Sequence, residues 1–175
     1  MNAGAGLGPA LDDSFGFLVC DTARQVKRVL SSRLAHYGIP GSCWFVLRAL
    51  WLQDGISQRE LSDCLSLAEP PLLATLRTME KLDLVTRNRD AVDRRRMRVL
   101  LTPRARALEP ELLALAQDLN RELMAAIPPA AQAEVVSTLR QIRSTAVKRQ
   151  AGSNVPLDED PEMGVPMADA EARRG

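Results

Sequence analysis

Apolar residues in the first third of this chain recur three and four positions apart, which is the period of an amphipathic helix. The first such stretch covers residues 12–37 and opens with polar residues that are suitable N-caps. Gly38 and Pro40 end it. A second helix is predicted over residues 42–53, with its larger apolar side chains on one side.

Two further helices each have a recognisable N-terminus. Ser57 opens the sequence SQRE, a capping box in which Ser57 and Glu60 bond each other's free backbone amide. The next helix begins around Glu69 and carries Pro70 and Pro71 in its first turn, where a missing N–H costs little. Three of its apolar residues recur at helical spacing and are expected in the core: Leu72, Leu76 and Met79.

The chain then changes to strand-like sequence. Residues 84–89 and 96–102 are predicted as two strands, and residues 88–95 as the loop between them. A helix, a turn, a second helix and a two-stranded hairpin form a winged helix-turn-helix, here at about residues 42–102. In this module the second helix enters the DNA major groove while the hairpin loop, or wing, reaches the backbone or minor groove.

Helical sequence resumes after the hairpin. Thr102-Pro103 opens a long fifth helix that is predicted to continue to about Ala126, and a sixth helix follows Pro128-Pro129 and ends near Arg149. Residues 1–11 are expected to be flexible, and residues 150–175 to be a disordered or weakly ordered acidic tail. The fold class is therefore mainly α.

The net charge of +1 conceals an uneven distribution. Residues 77–106 hold ten basic and four acidic side chains, a net charge of +6, whereas residues 150–175 have a net charge of −4. The basic segment is the part of the chain that a polyanion would bind.

Other classes of protein are excluded by what the sequence lacks. No run reaches the ~18 apolar residues of a membrane span, and the start does not resemble a secretion signal. The three cysteines have no metal-binding spacing and indicate reduced thiols in a cytoplasmic protein. With no nucleophile elbow, phosphate loop or paired carboxylates, we expect neither an enzyme nor a cofactor.

An ordered set of motifs resembles the multiple antibiotic resistance regulator (MarR) family over residues 12–149. The set consists of SQREL, MEKLDLVTR, and DAVDRRR before a strand that ends in Leu-Thr-Pro. The stretch at residues 44–55, with Trp44, Trp51 and Asp54-Gly55, resembles a subset of that family.

The resemblance implies a homodimer in which helices at about residues 12–37 and 103–149 form the dimerisation region. Two winged lobes would then bind a pseudo-palindromic operator in double-stranded DNA. It also implies a repressor that a small molecule releases, often an aromatic acid or a coenzyme A thioester, bound between the dimer helices and the DNA-binding lobe.

Six residues are candidate DNA contacts. Arg94 or Arg95 is expected to enter the minor groove or bind phosphate, while Asp93 orients a neighbouring arginine. For Arg77 a DNA contact and an ion pair with Glu80 are equally compatible with the sequence, and Gln58 is suited to capping a helix. The candidates are Gln58, Arg77, Thr78, Arg94, Arg95 and Arg96.

Five residues near the junction of the first two helices are candidate ligand contacts. A cavity lined by aromatic rings with one cation suits an aromatic acid or an acyl thioester. For the tryptophans a place in the core is the alternative. The five are His36, Tyr37, Trp44, Arg48 and Trp51.

Two other functions remain open from the sequence. The apolar Leu73 and Ala74 lie on the predicted DNA-facing helix, where base readout needs donors and acceptors. This pattern allows a dimer that has lost specific DNA binding and acts through a protein partner. Cys20 allows a redox sensor, although a buried structural cysteine is the expected alternative.

Overall fold

The computed structural model describes residues 13–151, with side chains as far as Arg149. It is mainly helical with a single two-stranded antiparallel sheet in the described part, which confirms the predicted fold class. The predicted segment 1–11 lies outside the described residues, and so does the predicted tail 150–175 apart from residues 150 and 151, which end the last helix. The elements are α1 (Phe15–Ala35), a 3-10 turn (Gly41–Cys43), α2 (Trp44–Leu52), α3 (Gln58–Leu65), α4 (Glu69–Lys81), β1 (Val85–Arg89), β2 (Met97–Leu101), α5 (Pro103–Ala107), α6 (Glu109–Met124) and α7 (Pro129–Ala151).

The helix starts follow the side-chain caps that the sequence provides. Ser14 caps α1, its Oγ accepting from the backbone N–H of Phe17. At α3 the capping box is complete, since Ser57 Oγ accepts from Glu60 N at 3.2 Å and Glu60 Oε2 accepts from Ser57 N at 2.8 Å. Both predicted helix starts are confirmed, and the capping box sets the residue at which α3 begins next to the wing.

The predicted long fifth helix is broken in the structure. The short α5 ends at Ala107, and α6 starts only at Glu109. Pro110 lacks the N–H that would bond to the carbonyl of Arg106, and its ring clashes with that carbonyl in a continuous helix. The prediction of one helix from residue 103 to 126 was therefore wrong.

The wing is a short hairpin in tight register. Val85 pairs with Leu101 and Arg89 with Met97, leaving residues 90–96 as the loop. The segment before α3 hydrogen-bonds to β2, because Val99 N donates to Ile56 O at 3.0 Å and Gly55 N to Val99 O at 3.1 Å. The wing is thus fastened to the start of α3.

The core lies between α2, α3, α4 and the base of the hairpin. Fully buried side chains there include Leu47, Leu50, Leu61, Leu76 and Val99. Helices α1 and α6 each add buried residues along one side, but no described side chain of α7 is buried. Large apolar residues remain exposed on the terminal helices: Phe15, Leu18, Val19, Val29, Leu123, Leu139 and Val147.

No helix in the described residues is both long and apolar enough to cross a membrane.

Candidate nucleic-acid interface

An open cavity of about 660 Å³ lies between α3, the start of α4 and the wing. Residues far apart in sequence meet in it, including Gln58 on α3, Glu69 on α4 and Arg95 on the wing loop. The wing and the helix-turn-helix therefore present one continuous face. Its charged lining residues are Arg59, Glu60, Asp63, Glu69, Asp93, Arg95 and Arg96.

The wing loop is organised around the buried carboxylate of Asp90. One oxygen accepts from the backbone N–H groups of Val92, at 2.7 Å, and Asp93, at 3.0 Å, and the other accepts from Arg98 Nε. These two backbone hydrogen bonds, followed by Arg98, lower the pKa of Asp90 to about 2. Arg98 also donates to Gly55 O at 2.8 Å. Arg98 therefore braces the loop and is occupied within the chain.

The three predicted wing arginines differ in their surroundings. Arg96 Nε lies 3.3 Å from Asp93 Oδ2, which agrees with the expectation that Asp93 orients a neighbour. The side chains of Arg94 and Arg95 are exposed and have no hydrogen-bond or ion-pair partner among the described residues. Two guanidinium groups are thus available to an outside anion, and their DNA role stays a prediction.

For Arg77 on α4, the sequence left open a DNA contact and an ion pair with Glu80. Glu80 accepts from Arg87 NH2 at 2.6 Å, so it ties α4 to β1 and is not hydrogen-bonded to Arg77. This contact lowers the pKa of Glu80. Arg77 is exposed, while Thr78 Oγ1 donates to the carbonyl of Ala74 at 3.2 Å. The charge of Arg77 also helps to lower the pKa of Glu80, although no hydrogen bond joins them, and the Thr78 oxygen can still accept a hydrogen bond.

Gln58 lines the cavity but does not cap α3, because Ser57 and Glu60 do so. Its Nε2 is buried and has no hydrogen-bond partner in the described chain. Hydrogen bonding to Ser57 lowers the pKa of Glu60, with a smaller effect of Arg96 and Arg98. Sequence reasoning did not place Glu60 and Asp63 on this face. The sequence feature that could have placed Asp63 there is its spacing from Arg59, four positions apart on one side of α3.

The five predicted ligand residues do not line this cavity. Trp44 is buried and packs edge-to-face on Trp51, with ring centroids 6.0 Å apart. Trp51 Nε1 donates to Ala105 O at 3.1 Å. Trp44 is therefore in the core and Trp51 packs against it partly buried, which agrees with the alternative that the sequence left open, and a ligand role for either stays a prediction.

The remaining three ligand candidates are more accessible. The guanidinium of Arg48 is exposed and lies 5.8 Å from the centre of the Trp44 ring, so both project from one side of α2. His36 is exposed beside the carbonyl of Arg33, and Tyr37 packs partly buried against the core. A ligand role for these residues stays a prediction.

The cysteines differ from the sequence-based expectation. Cys20 is exposed in the chain, so the expected buried structural cysteine is wrong for this subunit alone. Tyr37, the one hydroxyl partner considered, lies 17 positions away, or about 25 Å along a helix. Cys43 is the buried thiol, and burial raises its pKa to about 11 despite a hydrogen bond with Ser42. The described residues contain no group of three potential metal ligands.

Comparisons with known proteins agree with this architecture. The profile described as "MarR family" matches residues 37–96. The chain is 31% identical over 103 residues to the HTH-type transcriptional regulator TtmR of Methylorubrum extorquens, a match that covers 59% of this chain and about half, 53%, of TtmR.

Solved structures extend the likeness to about three quarters of the chain. A MarR transcriptional regulator from Methanosarcina mazei superposes with a TM-score of 0.70 at 26% identity, covering 76% of this chain and 96% of that one. The transcriptional regulator PA3341 superposes with a TM-score of 0.66 at 31% identity, covering 77% of this chain and 99% of that one. The chain therefore belongs to the MarR family of helix-turn-helix transcriptional regulators.

Proposed function

We propose that this protein is a homodimeric repressor that binds a pseudo-palindromic operator and is released by a small molecule. The exposed, unpaired side chains of Arg94 and Arg95 carry the DNA-binding part of the proposal. They lie on a wing that shares one face with α3 and the start of α4. The names of TtmR and the other relatives, all transcriptional regulators, support the same reading.

In this proposal α4 lies in the major groove and the wing follows the adjacent backbone. Arginine binds phosphate through a fixed fork of donors, and each phosphate neutralised releases condensed counterions. Arg94, Arg95 and the exposed Arg77 supply such contacts, while Arg96 is held by Asp93. The affinity should therefore fall steeply as salt rises.

The dimer is proposed because the terminal helices keep apolar surface in water. Phe15 is 62% and Leu139 53% exposed in the single chain. Val136 and Leu139 also line a shallow groove of about 230 Å³ on α7. A second copy that covers these residues would bury them, and its two-fold axis would set the spacing of two operator half-sites.

Release by a ligand is proposed for the surface where Arg48 lies over Trp44. An arginine binds a carboxylate or phosphate, and the partly exposed indole of Trp51, which packs on Trp44, can contact an aromatic ring. An aromatic acid or a coenzyme A thioester combines these features. Such a ligand lowers DNA affinity by the difference in its binding energy for the free and DNA-bound arrangements.

A second function is favoured by the composition of the cavity itself. Glu60, Asp63 and Glu69 place negative charge on the face proposed to meet DNA. Leu73 adds apolar surface to the same cavity. A dimer that acts through a protein partner and has lost sequence-specific DNA binding would tolerate both features.

Salt-dependent DNA binding separates the two functions. A duplex enriched by the wild-type protein from a randomised library is titrated at several salt concentrations with wild type and with Arg94→Ala/Arg95→Ala. The double variant should bind more weakly, with a salt slope smaller by about one to two, because each arginine neutralises one phosphate.

Arg121→Ala is the matched control, since Arg121 is an exposed arginine on α6 that pairs with Asp118. Its salt slope should equal that of wild type. If the library yields no enriched duplex, or the wing variant keeps the wild-type affinity and slope with a native circular dichroism spectrum, the DNA-binding proposal is wrong.

A further inference from the structure

The tip of the wing exposes an apolar side chain next to its free arginines. Val92 is 95% exposed, more than any other large apolar residue in the described chain. It stands two positions before Arg94 and three before Arg95. Since it packs against nothing, its presence is not explained by the stability of the fold.

The exposure of Val92 is fixed by the loop and does not depend on a loose chain. Asp90 accepts the backbone N–H of Val92, and the loop is closed by Asp90 N donating to Arg96 O and Arg96 N donating to Asp93 O, each at 2.9 Å. Arg98 holds the other oxygen of Asp90. The side chain of Val92 is thereby held outward at the point of the wing.

The surroundings of Val92 indicate what it would touch. Arg94 and Arg95 favour a negatively charged partner, and the tip is narrow because it is one turn of a two-stranded hairpin. A narrow groove between two phosphate strands, with apolar sugar walls, matches both the charge and the shape. The minor groove of B-DNA is about 6 Å wide and has this character.

An apolar side chain in that groove discriminates between base pairs. At an A·T pair the floor of the minor groove carries only acceptors and the adenine C2–H, whereas a G·C pair adds the N2 amino donor of guanine. Valine cannot accept a hydrogen bond, so covering that amino group removes it from water without compensation. A·T pairs are therefore preferred under the tip.

We propose that Val92 is a minor-groove contact of the wing that selects A·T over G·C base pairs at the positions beneath it. This inference rests on the proposed DNA-binding function. It adds a specificity-determining residue that carries no charge, distinct from the arginines, which act through their charge.

The test uses the duplex enriched by the wild-type protein, made in three versions at the base pairs that the wing protects from cleavage. These positions carry A·T, G·C or inosine·C, since inosine lacks the N2 amino group and so presents the minor-groove surface of A·T. Wild type should bind the A·T and inosine·C duplexes alike and the G·C duplex about fivefold to tenfold more weakly, the lower end of the usual cost of one mismatched pair.

Val92→Thr keeps the shape of the side chain but adds a hydroxyl that can accept from guanine. It should lose most of the preference for A·T while keeping the wild-type salt slope. Leu52→Thr, at another exposed apolar residue outside the cavity, is the control and should retain the preference.

Three results would overturn the inference. If inosine·C is bound like G·C, the base pair is read in the major groove. If Val92→Thr keeps the full preference, another residue is responsible. In both cases DNA binding by the arginines stands, whereas failure of wild type to bind any duplex removes both proposals.

Discussion

The winged lobe, from α2 to β2, and the terminal helices α1, α6 and α7 differ in how many of their apolar side chains are buried within a single chain. In α2, five of nine residues are buried, and Leu47 and Leu50 are completely covered. In α7, which has 23 residues, no described side chain is buried. Full burial of a leucine is worth roughly 1.5–3 kcal/mol. The apolar residues that stabilise the lobe are thus buried within the chain. On α1 and α7, large apolar side chains that would stabilise these helices if buried are still exposed.

The largest expected effect is on dimer assembly. If the protein did not dimerise, the exposed apolar residues of the terminal helices would have no partner surface. The wild-type particle should have about twice the mass of the 19.2 kDa chain. Leu139→Glu should convert it to a monomer, because the substitution places a charge in the surface proposed to be buried. Sedimentation at micromolar concentration measures the mass.

The control is Leu52→Glu, which changes a leucine that is 83% exposed on the lobe. It should remain dimeric and keep a native circular dichroism spectrum. A wild-type monomer, or a dimer in both variants, would mean that the exposed apolar residues of α7 do not form the interface.

A smaller effect is expected where the lobe meets the dimer helices. Arg48→Ala should leave DNA binding intact but make its release less sensitive to an effective aromatic acid or coenzyme A thioester, since the cation over Trp44 is lost. Titrating a panel of such compounds against the enriched duplex measures release. An equal response in wild type and variant would place the ligand elsewhere.

The smallest expected effect is on the stability of the wing. This part of the lobe is held by polar contacts and not by apolar packing. The pKa of Asp90 is lowered from 3.8 to about 2, so its ionised form stabilises the folded state at pH values above about 4. This contribution is lost as the pH falls from about 4 towards 2. Asp90→Asn should therefore be less stable than wild type at pH 6, and the difference should shrink by pH 3.

Urea unfolding of both proteins at the two pH values measures this difference. Asn keeps an oxygen for the backbone amides but has no charge for Arg98, which makes it a matched substitution. A gap in unfolding free energy that is the same at pH 6 and pH 3 would show that ionisation of Asp90 is not what stabilises the wing.

Features encoded within a few residues were predicted well. The capping box of Ser57 and Glu60 and the prolines at the start of α4 act on the nearest turn, so their sequence spacing defines their structure. The hairpin followed from its two strand-like segments in the same way. Local chemistry was therefore enough for the fold class.

Contacts that depend on register or on distant packing were not predictable. Asp90 meets Arg98 only because β1 and β2 pair in one particular register, and Trp51 meets the carbonyl of Ala105 across 54 positions. The break before Pro110 was missed because the apolar period continues through it. For the candidate site, the wing arginines and Asp93 were predicted from the sequence, but Glu60 and Asp63, which share their cavity, were not.

The interruption at Leu108 divides the connection between lobe and terminal helices into two links. The first link, α5, moves with the lobe, since Ala105 O accepts from Trp51, Arg106 pairs with Asp54, and Thr102 Oγ1 donates to Asp83 O at 2.6 Å. The second link, α6, is joined to α1 by the pair between Arg33 and Glu122. A continuous helix would hold the angle between the winged lobe and the terminal helices fixed. Because Pro110 cannot donate a hydrogen bond to Arg106 O, we expect any change in that angle to occur at this residue, without unfolding of either helix.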